Sequence, residues 1–340
     1  MQQINGLSYA QVEELVKACG QPAYRAGQLF GWLHQKRAAA FEDMKNLPKA
    51  FREQLAARGT IAKVTIEKKL VSQLDGTVKY LFSLPDGETV ECVVMRYKHG
   101  LSICLSTQVG CKMGCSFCAS TLAGYVRDLT AAEILDQIYT AADDLGERIG
   151  NIVLMGIGEP LDNYQNVLDF IRLVTDSRGM DLSPRHITLS TCGIVPGILK
   201  LADEGLPITL SISLHAPNDA LRDQLMPVNR KYRIHQVLAA CRQFEQKTGR
   251  RISFEYTLID GVNDSRDCAR QLADLCRGLM CHVNLIPVNK VQETGYTQSH
   301  QVTQFQAWLQ DRGVNATVRR TLGQDISAAC GQLRRQSLQQ

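Results

Sequence analysis

The sequence predicts an α/β protein, with a partial TIM-like (βα) barrel preceded by a small accessory domain of helices and β-strands. Beyond residue 100, strand-like apolar runs alternate with amphipathic helical stretches, which is typical of right-handed βαβ units and a parallel sheet. Before residue 98, helical periodicity gives way to residue-by-residue alternation. At 340 residues, and with about 150 residues per domain, the chain is long enough for both parts.

The accessory part begins with helices, predicted in SYAQVEELVKAC behind Ser8 and in GQLFGWLHQKR. From residue 61 to 97 the alternating segments AKVTIEKKLVSQ, TVKYLFSL and TVECVVMRY follow one another. The turns between them are Asp75-Gly76 and Asp86-Gly87. Short alternating runs joined by Asp-Gly turns predict an antiparallel meander.

Seven strands are predicted for the barrel: LSICLST, NIVLMG, HITLST, ITLSISLH, ISFEYTLI, HVNLIPV and ATVRR. Helices are predicted between them, for example TAAEILDQIYTAADDL, NVLDFIRLV, SRDCARQLADLC and VTQFQAWLQD. Polar segments such as GIGEP and SLHAPND follow the strands, at the barrel end where chemistry is expected. We therefore divide the chain into an accessory domain (1–98), a barrel (99–320) and a C-terminal segment (321–340).

Composition excludes a disordered or fibrous protein, because 44% of residues are hydrophobic and 21% are charged. The sequence has no apolar run near the roughly 18 residues that cross a bilayer, so no membrane association is expected. The opening MQQINGLSYAQVEELVKACG lacks the basic and apolar regions of a secretory signal. We therefore expect a cytoplasmic protein whose twelve cysteines are thiols, metal ligands or catalysts.

Positive charge is concentrated at the two ends of the chain. Residues 1–98 hold 14 Lys and Arg against 10 Asp and Glu, whereas the other 24 of each sign cancel. Arginines again outnumber acidic residues after position 310. This distribution suits a phosphate-binding surface, although ordinary solvated faces would give the same balance. The accessory residues that we consider for such a phosphate-binding surface are Arg25, Lys36, Arg37, Lys45, Lys49, Lys63, Lys68 and Lys69.

The strongest chemical motif is Cys111-x3-Cys115-x2-Cys118, in STQVGCKMGCSFCAS after the first barrel strand. Three thiolates on one loop can hold an iron-sulfur cluster, and a four-iron cluster with three ligands leaves one iron open to a substrate. The alternative is a zinc site built on Cys115 and Cys118 with a distant fourth ligand, although zinc sites usually contain two cysteine pairs.

This motif resembles that of the radical S-adenosylmethionine superfamily, in which a three-cysteine loop follows the first strand of a partial barrel. The segment Gly156-Ile157-Gly158-Glu159-Pro160 similarly resembles the superfamily's GGEP segment, which holds the amino end of the methionine moiety. The resemblance implies a 4Fe-4S cluster and S-adenosylmethionine as cofactors.

A closer resemblance, from about Ala23 to Leu333, is to the RlmN family of RNA adenine-C2 methyltransferases. It is carried by FEDMKNLPKAFREQL, STQVGCKMGCSFCASTLAG, MGIGEPLDNYQNV, SLHAPNDALRDQLMPVNRKY, GVNDS, CHVNLIPVN and DISAACGQL. The related Cfr enzymes methylate carbon 8 of the same adenine and carry Ala where this chain has Pro160. Carbon 8 methylation is therefore the first alternative, and a non-catalytic metal-containing RNA-binding protein is the second.

The resemblance assigns roles to individual residues. The cluster ligands would be Cys111, Cys115 and Cys118, and the cofactor contacts Gly158, Glu159, Ser190, Ser213, Leu214, His215 and Asn289. The methylated cysteine would be Cys330, the resolving thiol Cys104 and the proton acceptor Glu91. Taken singly, Cys104 and Cys330 would be packed thiols, His215 a hydrogen-bonded polar residue and Glu91 a solvated charge.

The reaction that the resemblance implies needs two cysteines besides the cluster ligands, Cys104 and Cys330. They are needed because carbon 2 of adenine cannot attack a sulfonium methyl directly. One S-adenosylmethionine would methylate Cys330, and a second would yield a 5′-deoxyadenosyl radical that activates the new methyl group, so that two are used per turnover. Release of the RNA would leave a Cys104–Cys330 disulfide that must be reduced. The implied partners are 23S rRNA, transfer RNA as a further candidate, and an electron-donating reductase system.

Two positions depart from the family pattern. Ser327 stands where an Asp usually precedes Ala-Ala-Cys, and Cys192 stands where a Ser commonly follows the third strand. The first change could loosen the loop that carries Cys330, and the second adds a thiol near the cofactor.

Overall fold

A ten-stranded mixed sheet organises the computed structural model, which describes residues 1–288, 295–328, 333 and 334. The strands lie in the order β14-β13-β12-β11-β10-β9-β6-β5-β4-β3. Their bounds, with those of two small two-stranded sheets, are β1 Gln2–Gln3, β2 Gly59–Thr60, β3 Thr65–Val71, β4 Val78–Ser83, β5 Thr89–Tyr97, β6 Gly100–Cys104, β7 Gln108–Gly110, β8 Tyr125–Asp128, β9 Ile149–Leu154, β10 Ile187–Thr191, β11 Thr209–Ser213, β12 Ile252–Leu258, β13 Cys281–Pro287 and β14 Ala316–Val318.

The α-helices are α1 Tyr9–Ala18, α2 Tyr24–His34, α3 Lys49–Arg58, α4 Ala119–Leu122, α5 Ala131–Leu145, α6 Tyr164–Thr175, α7 Val195–Asp203, α8 Asp219–Leu225, α9 Ile234–Thr248, α10 Arg266–Cys276 and α11 Val302–Gln310. Short 3-10 helices cover Ile4–Gly6, Phe41–Asp43, Pro184–His186, Pro227–Arg230 and Gln324–Ile326.

The seven predicted barrel strands are β6 and β9 to β14, and they pair in parallel from β6 through β14. Helices lie between successive strands of this set, which confirms the predicted partial barrel. The helix starts follow from local chemistry. At α5, Thr130 and Glu133 form a capping box, and Gly146 ends the helix in the left-handed conformation with φ of 65°.

The predicted meander is formed by β3, β4 and β5, which are antiparallel. Gly76 and Gly87, in the two predicted turns, have φ of 71° and 85°, a conformation that glycine adopts without strain. Strand β5 then pairs antiparallel with β6, the first strand of the barrel. The hydrogen-bonded sheet is therefore continuous across the boundary that we placed after residue 98.

The accessory helices and strands are attached to α5 by three ion pairs. The pairs are Arg37 with Asp143, Lys63 with Asp136 and Lys69 with Asp144. Asp136 is fully buried and also accepts a hydrogen bond from the Val64 backbone amide at 2.7 Å. Three of the basic residues considered for RNA docking thus stabilise the packing of the two parts.

One contiguous apolar core runs from the accessory helices through the barrel, and it includes Phe30, Phe51, Tyr80, Phe170 and Phe254. Helices in the described part of the chain are too short or too polar to cross a membrane.

Candidate active site

The three-cysteine loop lies between β7 and α4. Sequence reasoning missed the hairpin of β7 and β8 that holds this loop, because each strand has only three or four residues. Gly110, with φ of 80°, lies so close to Gly124 that a side chain at position 110 would collide with the Gly124 carbonyl oxygen. The Cys111 amide donates to that same carbonyl at 3.0 Å, and the Cys118 amide donates to the Cys115 carbonyl at 3.1 Å. These bonds fix the backbone on which the thiols are carried.

The three thiols interact electrostatically with one another. Burial raises the pKa of Cys111 to about 12, and the neighbouring Cys118 adds to this rise. Burial also raises the pKa of Cys115, with further contributions from Cys118 and Cys111. Metal binding deprotonates such thiols, since the thiolate is the ligand.

Three cysteine thiols are the kind of donor set that holds an iron-sulfur cluster. Within residues 1–288, 295–328 and 333–334, no group of three His, Cys, Asp or Glu side chains is placed to hold one metal ion. In a four-iron cluster each thiolate binds a different iron, so the thiols need not converge on one point. Cys111, Cys115 and Cys118 therefore fit the cluster that the motif predicts.

Glu159 lies next to this loop, after β9, with its side chain buried. Its carboxylate accepts backbone hydrogen bonds from Cys192 at 2.7 Å and from Leu161 at 3.0 Å. Burial raises the pKa of Glu159, and these hydrogen bonds oppose the rise. The carboxylate thus fixes the end of β10, and the backbone around Gly158 remains the candidate for contacting a bound amino group.

Gly158 permits a close approach between this segment and β7. It has φ of 111°, and an added Cβ would lie 2.7 Å from the Gln108 Cβ. The Gln108 side chain accepts from the Glu159 amide at 2.9 Å. A glycine is therefore required here for both conformation and space.

Ser190, Ser213, Leu214 and His215 occupy the carboxyl ends of β10 and β11. The hydroxyl oxygens of Ser190 and Ser213 are 3.4 Å apart, so these two residues share one face of the sheet. Leu214 and His215 both donate their amides to the Glu255 carbonyl oxygen of β12, at 3.1 and 3.2 Å. The structure thus places these four predicted cofactor contacts at one end of the barrel.

His215 is buried and neutral. Its Nδ1 accepts from the Thr257 amide at 3.0 Å, which places its ring proton on Nε2. Burial lowers the pKa of His215 to about 3. The ring meets Phe117 of the cysteine loop edge to face, with centroids 4.9 Å apart. The His215 backbone itself has a φ of 56°. His215 therefore connects the cysteine loop to β11 and β12.

Cys104, at the end of β6, lines a cavity of about 250 Å³ together with Cys118, Met155 and Ala328. Val93, the β5 residue paired with Cys104, contributes to the same wall. A predicted cluster ligand, the predicted resolving thiol and the C-terminal segment thus border one space. Its remaining lining residues are Thr77, Met95, Phe117, Ala119, Thr257, Ile286, Pro287, Val288, Arg319, Arg320, Thr321 and Leu322.

Glu91 lies two residues before Val93 on β5, on the face that borders the cavity. It is buried in an ion pair with Lys79 of β4, with Nζ and Oε2 3.0 Å apart. The backbone amide of Arg334 donates to its other carboxylate oxygen at 2.6 Å. The alternative interpretation of Glu91 as a solvated charge is therefore wrong.

The C-terminal segment is held by the accessory strands. Lys79 donates to the Ser327 carbonyl at 3.0 Å, and Asp325 accepts from the Ser72 hydroxyl at 2.7 Å. Ser327 thus takes part in this attachment through its backbone carbonyl and not through its side chain. The replacement of the family's usual Asp by Ser at this position is therefore compatible with an anchored segment. The predicted residues Cys330 and Asn289 lie outside the described residues.

Cys192 and Arg222 form a contact that sequence reasoning missed. The Arg222 guanidinium donates to the Cys192 carbonyl at 2.6 Å, and burial raises the pKa of the Cys192 thiol. Neither Arg222 nor Lys79 has a local sequence signal, because arginine and lysine side chains ordinarily face solvent.

Comparison with known proteins matches residues 105–272 to the radical SAM superfamily and residues 2–61 to the ribosomal RNA large subunit methyltransferase N-terminal domain. A probable dual-specificity RNA methyltransferase RlmN of Alkaliphilus oremlandii is 54% identical over 98% of this chain and 97% of its own. Its counterpart in Lachnospira eligens is 51% identical over 98% and 96%. A radical SAM methyltransferase crystal structure from Sphaerobacter thermophilus, 44% identical, superposes with a TM-score of 0.92 over 98% of this chain and 99% of that one. The chain belongs to the RlmN family within the radical SAM superfamily.

Proposed function

We propose that the protein methylates carbon 2 of an adenine in 23S rRNA and, as the dual specificity in its relatives' names suggests, in transfer RNA. The observation that carries the proposal is the single cavity bordered by Cys104, Cys118 and Ala328. It places the loop of the cluster ligands, a second thiol and the segment leading to Cys330 around one space. Pro160, after Gly158 and Glu159, favours carbon 2 over carbon 8.

When bound, a 4Fe-4S cluster and S-adenosylmethionine would supply methyl transfer and one-electron cleavage chemistry. Cys111, Cys115 and Cys118 would hold the cluster. The backbone at Gly158, with Ser190, Ser213, Leu214, His215 and Asn289, would orient the cofactor. The apolar walls of the cavity would exclude water.

Three residues would act on the substrate. The Cys330 thiolate would accept a methyl group from one S-adenosylmethionine, and the activated methyl carbon would bond to carbon 2 of the adenine. Glu91 would then remove the ring hydrogen as a proton. The adduct would also give up its unpaired electron to the bound cluster. Attack of the Cys104 thiolate on the Cys330 sulfur would then form a disulfide and break the sulfur–carbon bond. The electron pair of that bond would stay with the carbon, which takes up a proton to become the methyl group of the released RNA, and two electrons would reduce the disulfide.

For RNA docking we propose the accessory domain (1–98) together with the mouth of the cavity. Lys45 and Lys68 are exposed on the accessory domain, and neither forms an ion pair among the described residues. Arg319 and Arg320 line the cavity where the chain leaves β14. Phosphates on both sides of an unstacked adenine would be attracted to these groups.

The decisive experiment is mass spectrometry of nucleosides from 23S rRNA and transfer RNA of a deletion strain carrying this gene. We expect 2-methyladenosine with the wild-type gene and none with Cys330→Ala. Detection of 8-methyladenosine would instead establish the carbon 8 activity. Protein purified without oxygen should contain iron and sulfide, and zinc in their place would contradict any radical mechanism.

A further inference from the structure

Arg222 of α8 is a completely buried arginine beside the cysteine loop. Its guanidinium donates to three carbonyl oxygens at strand ends, those of Cys192 at 2.6 Å, Leu214 at 3.1 Å and Ser213 at 3.2 Å. Two of these carbonyls belong to residues proposed to contact S-adenosylmethionine. Arg222 therefore ties the end of β10 to the end of β11.

The remaining hydrogen bonds of Arg222 are also to neutral groups. Nη1 donates to the Asn229 side chain at 3.1 Å and to the Tyr232 carbonyl at 3.5 Å. All five contacts orient the guanidinium, and none of them neutralises its charge. A buried charge in surroundings of low polarity is costly unless an opposite charge lies nearby.

Nearby carboxylates are engaged elsewhere. Asp223 pairs with Arg233 at 2.7 Å, and Asp219 accepts from the Ile234 amide at 3.0 Å. Among the described residues, no carboxylate oxygen lies within the 4.0 Å of an ion pair with Arg222. Asp219 and Asp223 therefore make no direct ion pair with the guanidinium.

The cysteine loop is a neighbour of α8, the helix that carries Arg222. The Ser116 amide donates to the carbonyl of Leu225, the last residue of α8, at 2.9 Å. Cys115 packs on the apolar group that contains Cys192 and Leu225. Arg222 donates to the carbonyl of Cys192, so the guanidinium and the cysteine loop border the same apolar group.

We propose that Arg222 is a positioning residue whose charge balances the negative charge of the cluster on Cys111, Cys115 and Cys118, and whose donors hold the cofactor-binding strand ends. The inference rests on the proposed function, because it needs the cluster. Three thiolates give the site negative charge, and one-electron reduction adds another. A buried positive charge nearby stabilises the reduced form more than the oxidised form, so Arg222 makes reduction easier.

The test is the midpoint potential of the reconstituted cluster, titrated with dithionite and followed by electron paramagnetic resonance. Arg222→Gln should lower the reduction equilibrium constant at least tenfold, or about 59 mV for one electron, toward more negative potentials. Arg233→Gln, which removes the same charge from a more exposed position directly before α9, should leave the potential unchanged. An Arg222→Gln protein with wild-type iron content and potential would overturn the proposal.

A conservative variant keeps the test valid if Arg222→Gln fails to retain iron. Arg222→Lys preserves the charge but cannot make the same set of hydrogen bonds. We expect it to retain iron and the wild-type potential while its affinity for S-adenosylmethionine falls several-fold. Equal loss of iron from the Lys and Gln variants would refute the role of the charge. Wild-type protein that takes up no iron would refute the proposed function itself, which separates the two failures.

Discussion

Lys79 and Glu91 form a buried ion pair across strands β4 and β5, with Nζ and Oε2 3.0 Å apart and both side chains at most 2% exposed. The pair is also the attachment point of the C-terminal segment, since Lys79 bonds to the Ser327 carbonyl and Glu91 to the Arg334 amide. The residue proposed as the base is therefore held by the same contacts that bring the segment of Cys330 to the sheet.

Removing one partner should destabilise the fold strongly. Lys79→Met leaves Glu91 buried without its counter-charge, and we expect a loss of about 3–5 kcal/mol in the free energy of unfolding, measured by urea denaturation. Lys69→Met breaks the more exposed pair with Asp144 and should cost about 1 kcal/mol or less. The double variant Lys79→Met with Glu91→Gln should recover part of the loss. If the two single changes lowered the free energy of unfolding equally, burial would not make the Lys79–Glu91 pair more important than the exposed pair.

Each cluster cysteine should be necessary for iron binding. Anaerobically reconstituted wild-type protein should bind about four irons per chain, and Cys111→Ala, Cys115→Ala or Cys118→Ala should each abolish the brown colour and most of the iron. Cys268→Ala, a buried cysteine of α10, is the control and should retain both. Full iron content in any of the three loop variants would remove that residue from the ligand set.

Loss of Cys104 should trap the protein on its RNA. Without a thiol to attack the Cys330 sulfur, Cys104→Ala should accumulate a covalent protein–RNA adduct, visible on a denaturing gel with labelled RNA. Cys241→Ala, equally buried but in α9, should release methylated RNA normally. Adding Cys330→Ala to the Cys104 variant should abolish the adduct. Normal release of methylated RNA from Cys104→Ala would assign the resolving step to another group.

Gly158 should tolerate no side chain. The Cβ of Gly158→Ala would lie 2.7 Å from Gln108 in a backbone conformation with φ of 111°, and the strain should cost about 1–3 kcal/mol. We also expect weaker binding of S-adenosylmethionine, measured by calorimetry on the reconstituted protein. Gly150→Ala places a methyl group where no atom lies within 4 Å and should change neither quantity. Wild-type stability of Gly158→Ala would mean that the segment moves freely away from β7.

Acid should destabilise the protein through His34. Burial lowers the pKa of His34 to about 4 from an ordinary value of 6.5, so the unfolded chain binds a proton that the folded protein does not. The contribution of His34 to the free energy of unfolding is therefore fully present above pH 6.5. It is lost by about 1.4 kcal/mol per pH unit as the pH drops toward 4. His34→Gln should flatten this slope in urea unfolding between pH 4.5 and 7.5, whereas exposed His235→Gln should not. An unchanged slope in the first variant would exclude His34 as its source.

The order of elements was predictable because the chain changes period, from helical to alternating to mixed, where its structure changes. The continuity of β5 with β6 was not, because strand adjacency across a domain boundary is a non-local property. The hairpin of β7 and β8 that holds the cysteine loop was not predicted for another reason. Strands of three or four residues are too short to show a recognisable alternation of apolar and polar residues.

The residues of the candidate site likewise fall into those that the sequence could identify and those that it could not. Cys111, Cys115, Cys118 and Glu159 stand in local motifs and could be named from spacing and resemblance. Lys79 and Arg222 could not, because their significance comes from burial beside an opposite charge or a thiol loop, which only the folded chain creates. The roles of Cys330 and Asn289 stay predictions.

The pairing of Val93 with Cys104 sets how Glu91 and Cys104 are spaced. Glu91 lies two residues beyond this pair on the same strand and is itself paired with Leu81 of β4, so the sheet and not a flexible arm sets its distance from Cys104. Sliding β5 by a single residue would turn the Glu91 carboxylate to the opposite side of the sheet. The carboxylate and the thiol that we propose for proton removal and for attack on Cys330 are thereby held at a spacing that the backbone of the sheet sets.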